Sequence, residues 1–206
     1  MAETKAVLHR FNRFSRFYDV VEGIVEHIAF KRWRPAVFSK VEGRCLEVGF
    51  GTGRNFRYYP KEKDVRMVAI ELSPGMAARS KERAKGIDID LILMDAQHLA
   101  FKDNAFDSVV MTLVLCSVPD PVKTVEECVR VCKPAGKIID LEHVRSSNRL
   151  IAFMQDIITP VTNMLVALNI NRDTPGNLKK GGAVIIEDRH MTFIDIFRLI
   201  VSRPGK

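Results

Sequence analysis

The sequence predicts an α/β domain: a doubly wound, mostly parallel sheet of seven strands, helices on both faces, and a C-terminal pair of antiparallel strands. Three observations predict it. Between residues 44 and 144, short buried-strand patterns alternate with helical ones, as strands joined by crossover helices do. The chain then closes with two strand-like runs that have no helix between them. Its 206 residues are enough for one domain whose core needs neither disulfides nor metal.

The elements follow in order. Residues 6–30 read as an amphipathic helix: Val7, Phe11, Phe14, Tyr18, Val21 and Val25 recur at three- and four-residue spacing, with His9, Arg13 and Arg16 opposite. Five strands follow, "RCLEVGF" (44–50), "MVAIEL" (67–72), "IDLILMD" (89–95), "FDSVVMTLVL" (106–115) and "KIIDLEHV" (137–144). The helix "SPGMAARSKERAKG" has Ser73 as N-cap and Gly86 as stop. In "DPVKTVEECVRVCKP", Asp120 is the cap, Pro121 occupies N1 and Pro134 is the stop. The apolar, Met-rich "NRLIAFMQDIITPVTNMLVALNI" predicts a helical region broken by Pro160, and "GGAVIIEDRHMTF" and "IFRLIVSRP" predict the antiparallel pair. Residues 1–206 thus form one domain, divided into N-terminal lid helices (1–40), a ligand-binding core (41–144), a helical region (145–182) and the strand pair (183–206).

Composition narrows the function classes. The formal charge is +7, and residues 1–40 hold eight Lys/Arg against four Asp/Glu. That balance suits an anionic partner such as lipid headgroups or nucleic acid, and is equally common in enzymes with neither. Cys45, Cys116, Cys128 and Cys132 form no CxxC pair and have no histidine at zinc-ligand spacing, so they read as small buried hydrophobes and no metal is expected. No signal-type apolar core and no run of about 18 apolar residues occur, so a cytoplasmic chain with at most peripheral membrane contact is expected. The opening "HRFNRFSRFYD" alternates arginines with rings in linear text, but winding it into a helix separates the rings from Arg13 and Arg16. That geometry suits a lid or an interfacial helix better than a ladder for stacking bases.

The chemistry is carried by "CLEVGFGTGRNF", where an acidic residue near a strand end precedes Gly49, Gly51 and Gly53. Such spacing lets the chain turn tightly and a ligand approach the backbone. Alone it is compatible with NAD, FAD or S-adenosylmethionine. The next strand ends in Glu71, about 20 residues downstream, where a carboxylate can bond both hydroxyls of a ribose. The third ends in Asp95-Ala96-Gln97. Acidic strand ends facing one crevice fit an adenosine ligand with a cationic amino-acid tail better than a pyrophosphate.

At this point the sequence resembles the class I S-adenosylmethionine-dependent methyltransferases, with their Rossmann-like fold. The matching parts are "LEVGFGTG", Glu71 followed by "LSPGM", "DAQHLAFKDNAFDSVV" and "VCKPAGKII". More narrowly, "RFSRFYDVVEG" followed by "KRW" is similar to the N-terminal helix of ubiquinone/menaquinone C-methyltransferases and bacterial phospholipid N-methyltransferases. "TLVLCSVPDP", "EHV" and "NINRDT" are similar to the methyltransferase-like thiol and lipid-droplet-associated enzymes. Phe50 departs from the pattern, because the family has a small residue or cysteine between the first two glycines.

The resemblance implies a cofactor site and an acceptor class. Glu47 would anchor the amino group of S-adenosylmethionine, directly or through water, and the backbone at Gly49, Gly51 and Gly53 would line its methionine and ribose. Glu71 would bind the ribose hydroxyls, Leu72 and Met76 would pack near the adenine, and Asp95, Ala96 and Gln97 would lie at its amine. Leu113 and Ser117 would lie under the methionine moiety. Tyr18 and His143 are the candidate catalytic residues, Tyr18 on a helix closing over the cofactor and His143 as a base or a structural histidine. The expected reaction is methyl transfer, leaving S-adenosylhomocysteine, to a small hydrophobic or amphiphilic acceptor. A membrane lipid, either a phospholipid amine or an isoprenoid quinol, comes first and a small-molecule thiol second. RNA methylation and cofactor binding without catalysis rank below these, because the fourth strand ends in "LCSVPDP" and no RNA-binding module is present. Residues 6–30 would touch an anionic membrane, and the apolar 149–170 segment would receive the acceptor.

Overall fold

The structure is a computed structural model that describes residues 4–12, 30–61 and 64–206. Its helices are α1 (described over 4–12), α2 (Lys31–Phe38), α3 (Pro74–Ala84), α4 (Pro121–Val131), α5 (Arg149–Val166) and α6 (Thr174–Lys180). Its strands are β1 (Arg44–Val48), β2 (Arg66–Glu71), β3 (Ile89–Leu93), β4 (Phe106–Thr112), β5 (Cys132–His143), β6 (Ala183–His190) and β7 (Phe197–Pro204). They form one sheet in the order β3-β2-β1-β4-β5-β7-β6. β1 to β5 are mutually parallel, and β7 runs antiparallel to both of its neighbours. The predicted antiparallel pair is therefore present, with the reversal carried by β7 alone.

Two apolar clusters cover the two faces of the sheet. Val125, Cys128 and Val131 of α4 and Leu178 of α6 pack with Leu46, Val109 and Ile138 on one face. Val37 and Phe38 of α2 pack with Cys45, Val110 and Ile139 on the other. This sidedness follows from strand alternation, since successive residues of β4 point to opposite faces. All four cysteines are free and buried. The caps read from sequence hold: Ser73 Oγ accepts from the Met76 N–H at 3.2 Å, and Asp120 Oδ1 from the Lys123 N–H at 3.0 Å.

Four differences have physical causes. The predicted strands overrun their carboxyl ends, because Gly49 (φ 71°) and Leu113 (φ 58°) turn the chain out of the sheet and convert those ends into a rim. β5 begins at Cys132, directly after α4, so Pro134 lies in a strand. The proline lacks an N–H and falls where the β4–β5 register slips between Phe106 and Ser108, so no ladder bond is lost. Pro160 does not break α5. The carbonyl that loses its helical partner is that of Asp156, which is exposed, and Thr159 Oγ1 donates to the neighbouring Gln155 carbonyl at 2.7 Å and Thr162 Oγ1 to the Thr159 carbonyl at 3.1 Å. α2, with Pro35 inside it, was not assigned from sequence. Of the predicted 6–30 helix, residues 13–29, Tyr18 among them, lie outside the described residues.

Candidate active site

The strand order reverses between β1 and β4, and a crevice opens where such a reversal leaves the carboxyl ends of neighbouring strands uncovered. The cleft there encloses about 720 Å3, its open mouth included. Gly49 and Gly51 line it beyond β1, Glu71, Leu72 and Met76 beyond β2, and Asp95 and Ala96 beyond β3. Thr112, Leu113, Val114 and Ser117 line it beyond β4, and Val7 and Phe11 of α1 close over it.

Each glycine of the loop serves a separate need. A Cβ on Gly49 would stand 2.7 Å from Val114 Cγ2, so the close approach of the β1 and β4 loops requires its absence. Gly51 (φ 55°) has nothing within 4 Å of a built Cβ and presents bare backbone to open space. Gly53 packs against Phe56, 2.6 Å from a built Cβ, and stays out of the lining. Phe50 is buried in the core with its ring centroid 5.8 Å from that of Phe56, so it points away from the cleft.

Glu71 holds the loop from the β2 side. Its Oε2 accepts from the Gly51 N–H at 2.9 Å and its Oε1 from the Ser73 N–H at 2.7 Å. Burial pushes its pKa up, against the pull of these backbone bonds. Each oxygen keeps a lone pair that these contacts do not use. Asp95 Oδ1 accepts from the Gln97 backbone N–H at 2.9 Å and from its amide at 3.0 Å. Gln97 thus orients Asp95 from outside the lining.

On the β4 side, Thr112 lines the cleft, and its Oγ1 is buried and without a hydrogen-bond partner among the described residues. The turn that follows hangs on Glu142 of β5, whose Oε1 accepts from the N–H groups of Val114 at 2.6 Å and Leu115 at 3.0 Å. Burial raises its pKa to about 7, with the N–H groups of Leu115, Val114 and Cys116 opposing the rise. Neither residue was singled out in the sequence. Thr112 carries a weak signal as a polar residue at a buried strand end, whereas Glu142 looks like any alternation within β5.

The structure does not bring every predicted residue into the cleft. Glu47 is fully buried beneath the loop, accepting from Asn55 Nδ2 at 2.5 Å and from the Tyr59 hydroxyl, while Arg34 donates to Asn55. Burial raises its pKa, opposed by Tyr59, Asn55 and Arg34. His143 lies outside the lining with its ring 4.7 Å from that of Phe197. Burial lowers its pKa to about 4, partly offset by a bond to the Ile170 backbone. Cys116 is buried and its thiol pKa is pushed well up by burial, so it carries no thiolate.

α1 is latched at three points. Asn12 Oδ1 accepts from Ser73 Oγ at 2.6 Å and the Gly75 N–H at 3.0 Å, alongside the N-cap of α3. Arg10 donates to the Asn163 carbonyl at 2.9 Å, and the Gln97 amide reaches Thr4 Oγ1 at 3.4 Å. No pattern in the sequence marks Asn12.

Residues 46–140 match the methyltransferase domain family. A phosphatidylethanolamine N-methyltransferase of Cereibacter sphaeroides is 30% identical over 79% of this chain and 80% of its own length. The chain belongs to the S-adenosylmethionine-dependent methyltransferases. A demethylmenaquinone methyltransferase of Paenarthrobacter aurescens is 36% identical over 61% of this chain, a match spanning only half of that relative. Among solved structures, a possible histamine N-methyltransferase of Thermotoga maritima shares the fold with a TM-score of 0.73, at 20% identity over 96% of this chain and 99% of its own.

The cleft fits the cofactor of this family. The bare Gly51 backbone leaves space where any side chain would intrude, and the orphaned Thr112 hydroxyl needs a polar partner. Glu71 and Asp95 supply carboxylates beside apolar Leu72, Met76 and Ala96, a donor set for an adenosine with a cationic tail.

Proposed function

We propose that this methyltransferase transfers a methyl group to a membrane lipid, either a phospholipid amine or an isoprenoid quinol. The observation that carries the reading is the apolar roof of the cleft. Val7, Phe11, Leu113, Val114, Val118 and Pro119 line the same cleft as Glu71 and Asp95, which suits a greasy acceptor. The extent of the match to a phosphatidylethanolamine N-methyltransferase supports the same class.

S-adenosylmethionine, when bound, supplies an electrophilic methyl group on a sulfonium. In this reading Glu71 accepts hydrogen bonds from the ribose hydroxyls, Asp95 and Ala96 adjoin the adenine, and Thr112 and Ser117 meet the polar tail. Leu72 and Met76 wall the base, and Gly49 and Gly51 let it approach. Glu47 supports the loop through Asn55 and does not contact the ligand directly, and Gly53 and Gln97 likewise position the lining. Val7 and Phe11 exclude water, so an acceptor held in line with the methyl reacts without competition from solvent. A neutral amine needs no base. A quinol needs a deprotonated hydroxyl, for which Tyr18 is the proposed partner, while His143 is assigned a structural role. Of the proposed membrane segment 6–30, the described part turns Val7 and Phe11 toward the cleft.

The test is a radiolabelled-methyl assay on lipid, small-molecule and RNA fractions from the source cell. Label in the phospholipid or quinone fraction is expected. Label confined to thiols would install the second acceptor class, and label confined to RNA would overturn the reading.

A further inference from the structure

Helix α5 is turned inside out. An amphipathic helix on a protein normally buries its apolar face, yet here Ala152, Gln155 and Thr159 face the body while the large apolar side chains face outward. Phe153 is 60% exposed, Ile157 60%, Val161 53% and Met164 62%, with Met154 and Leu165 beside them. Helical spacing puts all of these on one arc that contains no charged residue. A polar contact holds the opposite side, where the Gln155 amide donates to the carbonyls of Val144 at 2.9 Å and Ile170 at 2.8 Å, and at the edge of the arc the exposed Asp156 pairs with Arg145 at 2.8 Å. With Leu150 and Ile158, eight large side chains lie in one strip and expose well more than the ~400 Å2 patch that a soluble surface tolerates.

The strip is continuous with two other features. At its amino end, the Ser146 hydroxyl donates to the Ile194 carbonyl, which sets the fully exposed Phe193 and half-exposed Ile194 next to it. At its carboxyl end, Arg10 of α1 bonds Asn163, and Asn169 donates to the Cys116 carbonyl, beside the Ser117 wall of the cleft. The strip therefore leads to the cleft mouth. Its amino-terminal border is cationic: Arg149 at the start of α5 makes no ion pair among the described residues, whereas the bordering carboxylates Asp156 and Asp195 are paired with Arg145 and Arg198. No described helix is long and apolar enough to cross a membrane.

We propose that the outward face of α5, with Phe193 and Ile194, docks on the surface of an anionic lipid bilayer. The helix lies flat in the interface, its apolar arc among the acyl chains and Arg149 at the phosphates. Docked in this way, the cleft mouth opens at headgroup level, where a lipid acceptor passes in without crossing water. This inference rests on the lipid-acceptor reading for its purpose but not for its test.

The experiment is flotation of the full chain with phosphatidylcholine vesicles containing phosphatidylglycerol. It compares the wild type with the double substitution Ile157→Lys and Met164→Lys, with S-adenosylmethionine binding and melting temperature measured on both. The expected result is flotation of the wild type, weakened at least tenfold in the variant, with cofactor affinity and melting temperature unchanged. Absence of wild-type flotation, or equal flotation of both proteins, overturns the proposal. So does a dimer that the substitutions dissociate without any vesicle binding, which would make a second copy the occupant. A melting temperature lowered by the substitutions without vesicle binding would assign the face to this chain's own residues 13–29 and overturn it as well. Docking without methylation of any lipid would leave the surface in place and remove the lipid acceptor.

Discussion

Replacing Glu142 by glutamine should flatten the dependence of stability on pH between about 5 and 8. Glu142 is fully buried, its Oε1 accepts from the Val114 and Leu115 N–H groups, and its Oε2 has no partner among the described residues. Its pKa stands at about 7 in the fold against 4.5 ordinarily, with burial as the main cause. Because the folded pKa is the higher one, the folded chain binds the proton more tightly. Stability is therefore greatest below about pH 4.5 and is lost as pH rises toward 7. At 1.36 kcal/mol per pKa unit, this one group costs the wild type about 3 kcal/mol across that window. Glutamine keeps an acceptor for the two N–H groups and does not titrate, so the Leu113–Ser117 turn stays in place while the pH term disappears. Urea unfolding at a series of pH values measures both proteins. The wild type should lose about 3 kcal/mol more than Glu142→Gln between pH 5 and 8. Parallel curves for the two proteins would refute the reasoning.

Three further outcomes are expected. If Glu71 binds the ribose as proposed, Glu71→Ala removes two charge-assisted hydrogen bonds and should weaken S-adenosylmethionine binding by about 2 kcal/mol or more, roughly 30-fold; unchanged affinity by calorimetry would mean that Glu71 is misassigned. Thr112→Val removes an orphaned buried hydroxyl, so it should raise the unfolding free energy by about 1 kcal/mol while weakening cofactor binding, and a variant less stable than the wild type would show the hydroxyl to be satisfied. Asn12→Ala removes the latch between α1 and the start of α3, so it should raise KM for the acceptor and speed proteolysis near residue 12 with little change in melting temperature; kinetics identical to wild type would show that α1 does not act as a lid.

The fold was legible because its signals are local. Ser73 and Asp120 begin helices with their own side chains, and the strands between them are apolar runs of strand length. The glycine loop and Glu71 were legible for the same reason, since about 20 residues of βα unit fix their relation. Pro160 misled: it reads as a break, but α5 runs through it, and the carbonyl it leaves without a helical partner belongs to the exposed Asp156. Pro134 does mark the end of α4, which stops at Val131, but β5 starts ahead of it, at Cys132. Glu142 and Asn12 left no trace, because their partners lie in other elements, at Val114 and at Ser73 and Gly75.

The sequence by itself determined the parallel sheet, the carboxyl-end site and the methyltransferase resemblance, because periodicity, caps and glycine spacing depend only on neighbours along the chain. Tertiary structure decided which carboxylates reach the cleft. Glu47 and Glu71 both sit at or near strand ends, yet one is enclosed by Asn55 and Tyr59 while the other faces open space. It also decided the outward direction of α5. An apolar stripe at helical spacing reads the same whether it faces the core or away from it, and here the buried Gln155, bonded to the Val144 and Ile170 carbonyls, fixes the helix with its greasy side out.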